Sequence, residues 1–128
     1  MVPPRGVAYD LEAMRVLICD DEPSVRLLFR TAVEDLGWEV IEAANGAECV
    51  ALAVAESPDV VILDIFMPVT DGLTALPSLR ARCPGTRVFI VSAHASREAF
   101  AEGEASGATA CFDKLSFLEH IPALLQTA

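Results

Sequence analysis

The sequence predicts an α/β fold in which a five-stranded parallel sheet is covered by helices on both faces. Short apolar runs alternate with segments of helical period along the chain, and two of these runs, VVIL (60–63) and VFIV (88–91), are continuous and β-branched. Such runs are typical of parallel strands that are buried on both faces. Five alternating β–α units therefore indicate a doubly wound sheet with right-handed crossovers.

Five segments are predicted as strands because they are short and apolar, with β-branched residues in most of them. They are Arg15–Cys19, Glu39–Ala43, 60–63, 87–91 and 110–112. The length of 128 residues and the number of units favour a flavodoxin-like sheet of order 2-1-3-4-5 over a closed barrel. In such a sheet, ligands bind beyond the carboxyl ends of strands one and three.

The first helix has the clearest amphipathic pattern, with Pro23 in its first turn and Gly37 as its C-terminal stop. Its predicted apolar stripe contains Val25, Leu28, Phe29, Ala32, Val33 and Leu36. The second helix is predicted at 47–56, before Pro58. The third is predicted near 73–82, where Pro77 is tolerable only in or near the first turn.

The last two helices have weaker patterns. The fourth, Arg97–Ala105, is interrupted by Gly103 and has a thin apolar stripe. The fifth is expected to begin at a capping box formed by Ser116 and Glu119. Pro122 should kink or split this helix.

Composition indicates one domain, which we expect at residues 14–128, after a flexible leader at residues 1–13. The longest uncharged apolar run, residues 49–55, is too short to span a bilayer. Nineteen Asp and Glu against nine Lys and Arg give a net charge of −10, which argues against direct nucleic-acid binding. The four widely spaced cysteines are typical of reduced thiols in a cytoplasmic protein.

Polar residues are concentrated at the carboxyl ends of four predicted strands. They are Asp20 and Asp21 after the first strand, Asp64 after the third, Ser92 after the fourth, and Asp113 and Lys114 after the fifth. Carboxylates that converge at one edge of a sheet repel one another, and a hard divalent cation such as Mg²⁺ removes that conflict. Carboxylate, metal, ammonium and hydroxyl are the groups needed to place a phosphoryl group on an aspartate. A turn or helix cap explains one such aspartate equally well, but not all four sites together.

Four motifs resemble the receiver domains of two-component response regulators. CDDEP follows the first strand, LDIFMPVTDG the third, VSAHA the fourth, and a lysine the fifth. The resemblance covers about residues 14–126, and D-x-x-M-P-x-x-D-G is its specific part. It implies that Asp64 is the phosphoacceptor, that Asp21 binds Mg²⁺ directly and Asp20 through water, and that the Phe66 carbonyl is a further ligand.

The resemblance also implies how the phosphoryl group is held and exchanged. Ser92 would hydrogen-bond a phosphoryl oxygen and move on activation, and Lys114 would pair with the phosphoryl group. The donor would be a sensor histidine kinase or a phosphotransfer protein, and a downstream protein or effector domain would respond. Only self-phosphorylation from small donors and autodephosphorylation are expected as activities.

Two positions differ from the family pattern. Leu115 stands where a cis proline usually follows the lysine, and we expect a trans bond and a rearranged loop because a non-proline cis bond costs about 2.5–4 kcal/mol. Cys111 stands where the family tends to carry an aromatic rotamer switch, and Phe112 should point to the other face of the sheet. Signal output would then depend on the fourth helix, and we expect partner contact on the face formed by that helix, the fifth strand and the fifth helix.

Phe66 lies two positions after Asp64, and His94 lies two positions after Ser92. The resemblance implies that residues at these two positions flank the path of the water that hydrolyses the aspartyl phosphate. A bulky Phe66 should hinder that water and slow autodephosphorylation. His94 is either a residue that positions water or a surface histidine without a role.

Two other functions are open from the sequence alone. A degenerate receiver would bind a partner without phosphorylation, which Cys111 and Leu115 favour and the complete polar set disfavours. A phosphohydrolase with an aspartyl-phosphate intermediate usually needs a second acid two residues after the nucleophile, where this chain has Phe66. The sequence does not identify the kinase, the output partner or the oligomeric state.

Overall fold

The computed structural model describes residues 14–93 and 95–126, so the leader expected at residues 1–13 lies outside the described residues. Five strands alternate with five helices. The strands are β1 (Arg15–Cys19), β2 (Glu39–Ala43), β3 (Val60–Asp64), β4 (Arg87–Ser92) and β5 (Ala110–Asp113). The helices are α1 (Pro23–Glu34), α2 (Gly46–Glu56), α3 (Gly72–Arg82), α4 (Arg97–Ala105) and α5 (Lys114–Gln126). None of these helices is both long enough and apolar enough to cross a membrane.

The sheet is parallel throughout, and its order β2-β1-β3-β4-β5 confirms the predicted order. The central strand β3 is buried over its whole length, as its apolar run predicts. Its register places Leu63 beside Cys19 of β1, and Asp64 beside Val91 of β4. The carboxyl ends of these three strands therefore lie side by side at one edge of the sheet.

Side-chain alternation along the strands divides the core into two layers. On one side, Leu17, Leu63 and Ile90 pack beneath α2, α3 and α4. On the other side, Ile18 and Ile62 pack beneath α1 and α5. Both sides of the sheet are thus covered, which explains why the central strands are almost entirely apolar.

The layer beneath α1 and α5 contains four interlocked aromatic rings. Phe117 of α5 lies 5.9 Å from Phe29 of α1 in an edge-to-face arrangement. It also lies 5.7 Å from Phe89 and 5.5 Å from Phe112, measured between ring centroids. Because each such pair adds about 0.5–1.5 kcal/mol beyond area burial, this cluster fixes both helices firmly to the sheet.

The position of Leu28 in α1 and the start of α5 differ from expectation. Leu28 belongs to the predicted stripe of α1 but is 56% exposed, because the buried face of the helix is centred on Phe29 and Val33 and Leu28 lies beyond its edge. Helix α5 begins at Lys114, so the predicted capping box at Ser116 is wrong. Asp113 Oδ1 accepts a hydrogen bond from the Leu115 N–H at 3.1 Å and satisfies the first turn instead.

Helix breakers are tolerated at three interior positions. Pro77 lies in the second turn of α3, against expectation, on the exposed side of a helix that is anchored by buried Leu76 and Leu79. Pro122 does not split α5, which continues to Gln126. Gly103 does not interrupt α4; it is buried, and a Cβ there would lie 2.6 Å from Ile90 Cδ1. The glycine therefore lets α4 approach the sheet closely.

Candidate functional site

Three carboxylates meet at the carboxyl ends of β1 and β3. One oxygen from each of Asp20, Asp21 and Asp64 lies within 4.8 Å of the others. Asp20 and Asp64 are 1% and 4% exposed, whereas Asp21 faces solvent. The parallel register of β1 and β3 causes this convergence, because Asp20 and Asp64 directly follow the paired residues Cys19 and Leu63.

Lys114 supplies the positive charge of the site. Its Nζ lies 2.7 Å from Asp20 Oδ2, 3.5 Å from Asp64 Oδ2 and 3.8 Å from Glu22 Oε1. The peptide bond to Leu115 is trans, as expected, and it does not prevent Lys114 from reaching the site. The pKa of Lys114 is raised, because contacts with Asp20 and Asp64 outweigh the opposing effect of burial.

The electrostatics of the site act most strongly on Asp64. Burial, followed by the charge of Asp20, raises the pKa of Asp64 to about 6, and Lys114 and the Phe66 N–H oppose this shift. One ammonium group therefore does not compensate the carboxylates fully. A cation with more charge would relieve the remaining repulsion.

Gly72 allows the backbone after β3 to fold back against Asp64. A Cβ at Gly72 would lie 2.2 Å from the Asp64 carbonyl oxygen, and the Gly72 N–H donates to the Ile65 carbonyl at 2.8 Å. Asp71 does not join the acidic cluster; its side chain caps α3 by accepting from the Thr74 N–H at 2.8 Å. The second half of the D-x-x-M-P-x-x-D-G motif is thus structural.

The loop between β3 and α3 contains a tight turn at Val69, which has a φ of 68° and is 84% exposed. The Thr70 N–H donates to the Pro68 carbonyl at 2.8 Å, which closes a three-residue γ-turn. The Thr70 carbonyl accepts from the Gly46 N–H at 2.8 Å. This last hydrogen bond ties the loop to the start of α2.

The remaining predicted residues lie around the acidic cluster. Ser92 is buried at the end of β4 and pairs in register with Asp113. Phe66 is 57% exposed beside Asp64. His94 lies outside the described residues.

Cys111 and Phe112 point to opposite faces of the sheet, as strand alternation predicts. Cys111 packs in the layer of α4, where its Sγ lies 3.5 Å from the Phe100 carbonyl oxygen. Burial raises the pKa of Cys111 to about 11, so the thiol stays protonated at neutral pH. Phe112 belongs to the aromatic cluster beneath α1 and α5.

One contact of the acidic loop is not evident from the sequence. Arg26 donates from Nη1 to the Asp20 carbonyl at 2.7 Å and from Nε to Glu42 Oε1 at 2.7 Å. The sequence signal was an arginine on α1, six residues after Asp20, but helical spacing alone does not show that it turns back toward the strand end.

Residues 16–126 match the response regulator receiver domain family. The chain belongs to this family. As a receiver domain it is 35% identical, over 96% of its length, to the transcriptional regulatory protein TrcR of Mycobacterium tuberculosis, of which it covers 48%. The chain spans 32–48% of the length of four of the curated transcriptional regulators that it matches.

Solved structures show the same receiver fold. Vibrio cholerae chemotaxis protein CheY4 has a TM-score of 0.81 at 32% identity, over 90% of this chain and 98% of CheY4. CheY of Borrelia burgdorferi, in a complex with CheX, BeF3 and Mg²⁺, has a TM-score of 0.80 at 28% identity, over 95% of this chain and 97% of that one. The acidic pocket of Asp20, Asp21 and Asp64 fits the phosphoacceptor pocket of this family.

Proposed function

We propose that this receiver domain accepts a phosphoryl group on Asp64 in a Mg²⁺-dependent reaction. The observation that carries the proposal is the convergence of Asp20, Asp21 and Asp64 within 4.8 Å, with Lys114 in contact with two of them. Asp20 and Asp64 are both buried and both contact Lys114, and Asp64 is assigned as the acceptor because it opens the D-x-x-M-P-x-x-D-G motif of the receiver family.

The donor set suits magnesium because it consists of oxygen atoms only. Asp20, Asp21 and Asp64 would hold the ion together with the backbone carbonyl of Phe66. When bound, Mg²⁺ neutralises the carboxylates and the oxygens of the incoming phosphoryl group. Asp20 Oδ2 lies 2.7 Å from Lys114 Nζ and accepts no hydrogen bond from the described backbone, so a cation or a metal-bound water would compete only with this ammonium for the atom.

The transfer itself exchanges one bond to phosphorus for another. A carboxylate oxygen of Asp64 attacks the phosphorus, the new O–P bond forms, and the bond between phosphorus and the donor histidine breaks with its electron pair left on the imidazole nitrogen. Lys114 would pair with the transferred group, and the Ser92 hydroxyl would donate a hydrogen bond to one of its oxygens.

The family also suggests which proteins would act before and after this domain. A sensor histidine kinase or a phosphotransfer protein would supply the phosphoryl group in the cytoplasm. A downstream protein or effector domain would contact the face of α4, β5 and α5. Cys111 replaces an aromatic switch on β5, so a shift of α4 would carry the signal.

Phosphorylation by a small donor tests the proposal directly. The protein is incubated with acetyl phosphate, with and without Mg²⁺, and its intact mass is followed for wild type and Asp64→Ala. Asp71→Asn is the matched control, because it removes a carboxylate of the same motif while asparagine can still cap α3.

We expect a gain of one phosphoryl group that requires Mg²⁺ and Asp64 and that persists in Asp71→Asn. A gain that survives in Asp64→Ala would place the acceptor elsewhere. If neither phosphorylation nor Mg²⁺ binding occurs, the chain is an interaction module that acts without phosphorylation, which the Cys111 and Leu115 positions favour.

A further inference from the structure

Arg26 joins the start of α1 to the end of β1. Its Nη1 donates to the Asp20 carbonyl oxygen at 2.7 Å, and its side chain is 18% exposed. This carbonyl belongs to the peptide group that connects Asp20 to Asp21. Arg26 therefore holds the peptide plane from which both carboxylates of the acidic pair extend.

Asp20 is held from its other side by β2. The Asp20 N–H donates to the Ala43 carbonyl at 3.1 Å, which extends the ladder between β1 and β2 by one residue. The Asp20 side chain in turn accepts from the Glu22 N–H at 2.9 Å through Oδ1. Both peptide groups of Asp20 are thus bound, one by strand pairing and one by the Arg26 guanidinium.

The guanidinium is itself held in place by Glu42 of β2. Arg26 Nε donates to Glu42 Oε1 at 2.7 Å, and Arg30 Nε donates to Glu42 Oε2 at 2.6 Å. Arg30 also donates to Glu34 at 2.8 Å, and no hydrogen bond or ion pair joins it to Asp20 in the described part of the chain. Two arginines one turn apart share a carboxylate, and Arg26 is the one that reaches the acidic loop.

Arg26 contacts the backbone carbonyl of Asp20 and not the carboxylates of Asp20 and Asp21, so both carboxylates can bind a cation. Its charge is compensated by Glu42, at a distance of 2.7 Å, so it adds little repulsion to an ion bound at Asp20 and Asp21. The geometry points to Arg26 as a positioning residue for the acidic pair: through the Asp20 carbonyl it sets the orientation in which Asp20 and Asp21 bind Mg²⁺. This inference rests on the proposed function of the same site.

Arg26→Ala tests the inference, and Arg30→Ala is the matched control. Both variants remove an arginine and an ion pair to Glu42 from the same helix, but only the first breaks the contact with the Asp20 carbonyl. Mg²⁺ affinity is measured by titration calorimetry, and stability by urea denaturation in EDTA. Amide hydrogen exchange of Asp20 and Asp21 is measured in the metal-free proteins.

We expect Arg26→Ala to weaken Mg²⁺ binding about tenfold, at the lower end of the effect of removing a group behind a metal ligand. Exchange of the Asp20 and Asp21 amides should accelerate in this variant, and Arg30→Ala should change neither quantity. Arg26→Lys should give an intermediate affinity, since lysine keeps the charge and loses the forked geometry.

Three results would overturn the inference. Equal Mg²⁺ affinities in the two alanine variants would show that Arg26 only stabilises the fold. Tighter Mg²⁺ binding in Arg26→Ala than in wild type would show that the Arg26 charge repels the ion. Unchanged exchange at Asp20 and Asp21 would show that it does not order the acidic loop. Absence of Mg²⁺ binding in the wild type would instead contradict the proposed function, and the exchange measurement would still decide whether Arg26 orders the loop.

Discussion

The ammonium nitrogen of Lys114 is 2.7 Å from Asp20 Oδ2 and 3.5 Å from Asp64 Oδ2, so in the metal-free protein it pairs more closely with Asp20. Lys114→Met should leave the buried Asp20 without its partner and lower the free energy of unfolding in EDTA by about 3 kcal/mol. Mg²⁺ should recover most of this loss and bind more tightly, because no ammonium competes for Asp20. Urea denaturation with and without Mg²⁺ measures both effects. Lys114→Arg keeps the charge and is the control, and a variant as stable as wild type in EDTA would contradict the expectation.

The raised pKa of Asp64 predicts a pH-dependent cost to stability. Its folded-state pKa of about 6 lies above the ordinary aspartate pKa of 3.8, so between these values the folded protein retains a proton that the unfolded chain loses, and stability falls as pH rises through this range. Each pKa unit corresponds to about 1.4 kcal/mol, and solvent at the rim of the pocket reduces the effect. Asp64→Asn should therefore be more stable than wild type by about 1–2 kcal/mol at pH 7.5 in EDTA, with a gain that shrinks toward pH 4. Denaturation curves across this pH range provide the check, and a gain independent of pH would argue against it.

Phe66 lies half-exposed beside Asp64, where a water molecule would approach a phosphoryl group. Phe66→Asn should accelerate loss of the phosphoryl group, since a smaller polar side chain opens the path and can orient the water. Decay of the phosphorylated mass after removal of acetyl phosphate measures the rate. Phe66→Leu, which keeps an apolar side chain, should stay slow. Equal decay rates in the asparagine variant and wild type would show that Phe66 does not control hydrolysis.

Val69 adopts a left-handed conformation that is unfavourable for a β-branched residue. Because it is 84% exposed, replacing it removes almost no packing. Val69→Asn should stabilise the protein by about 1 kcal/mol, because asparagine tolerates this conformation. Val69→Thr retains the β-branch and should have the stability of wild type. Midpoints of urea denaturation compare the three proteins, and a destabilised Asn variant would mean that the Val69 side chain makes a favourable contact.

The strands and the site edge could be predicted because both depend on short-range patterns. The apolar run of β3 and the aspartate that follows it place Asp64 at a strand end, and parallel pairing then brings Asp20 beside it. The first residues of the helices were predicted less accurately. Helix α5 begins at Lys114 because the Asp113 carboxylate caps it, whereas Ser116 is an equally good cap by sequence. The sequence does not show whether Lys114 reaches the carboxylates when no cis proline follows it, because that depends on the path of the backbone where β5 joins α5.

The contact between Arg26 and Asp20 could not be predicted for a different reason. It depends on Glu42, which lies on a strand that is adjacent in space and 16 residues away along the chain. Helical periodicity predicts on which face of α1 Arg26 lies, but it does not predict which carbonyl oxygen accepts a hydrogen bond from the guanidinium. Leu28 shows the same limit, since its spacing fits the stripe while its side chain faces solvent.

The four aromatic rings beneath α1 and α5 join these two helices to each other and to the sheet. Displacing α5 would separate Phe117 from the rings of Phe29, Phe89 and Phe112. On the opposite side, Gly103 is the one buried residue of α4, and Ala99 and Phe100 are only partly buried against the core, so displacing α4 disturbs less buried contact than displacing α5. A displacement that follows a new charge at Asp64 is therefore expected at α4 rather than at α5.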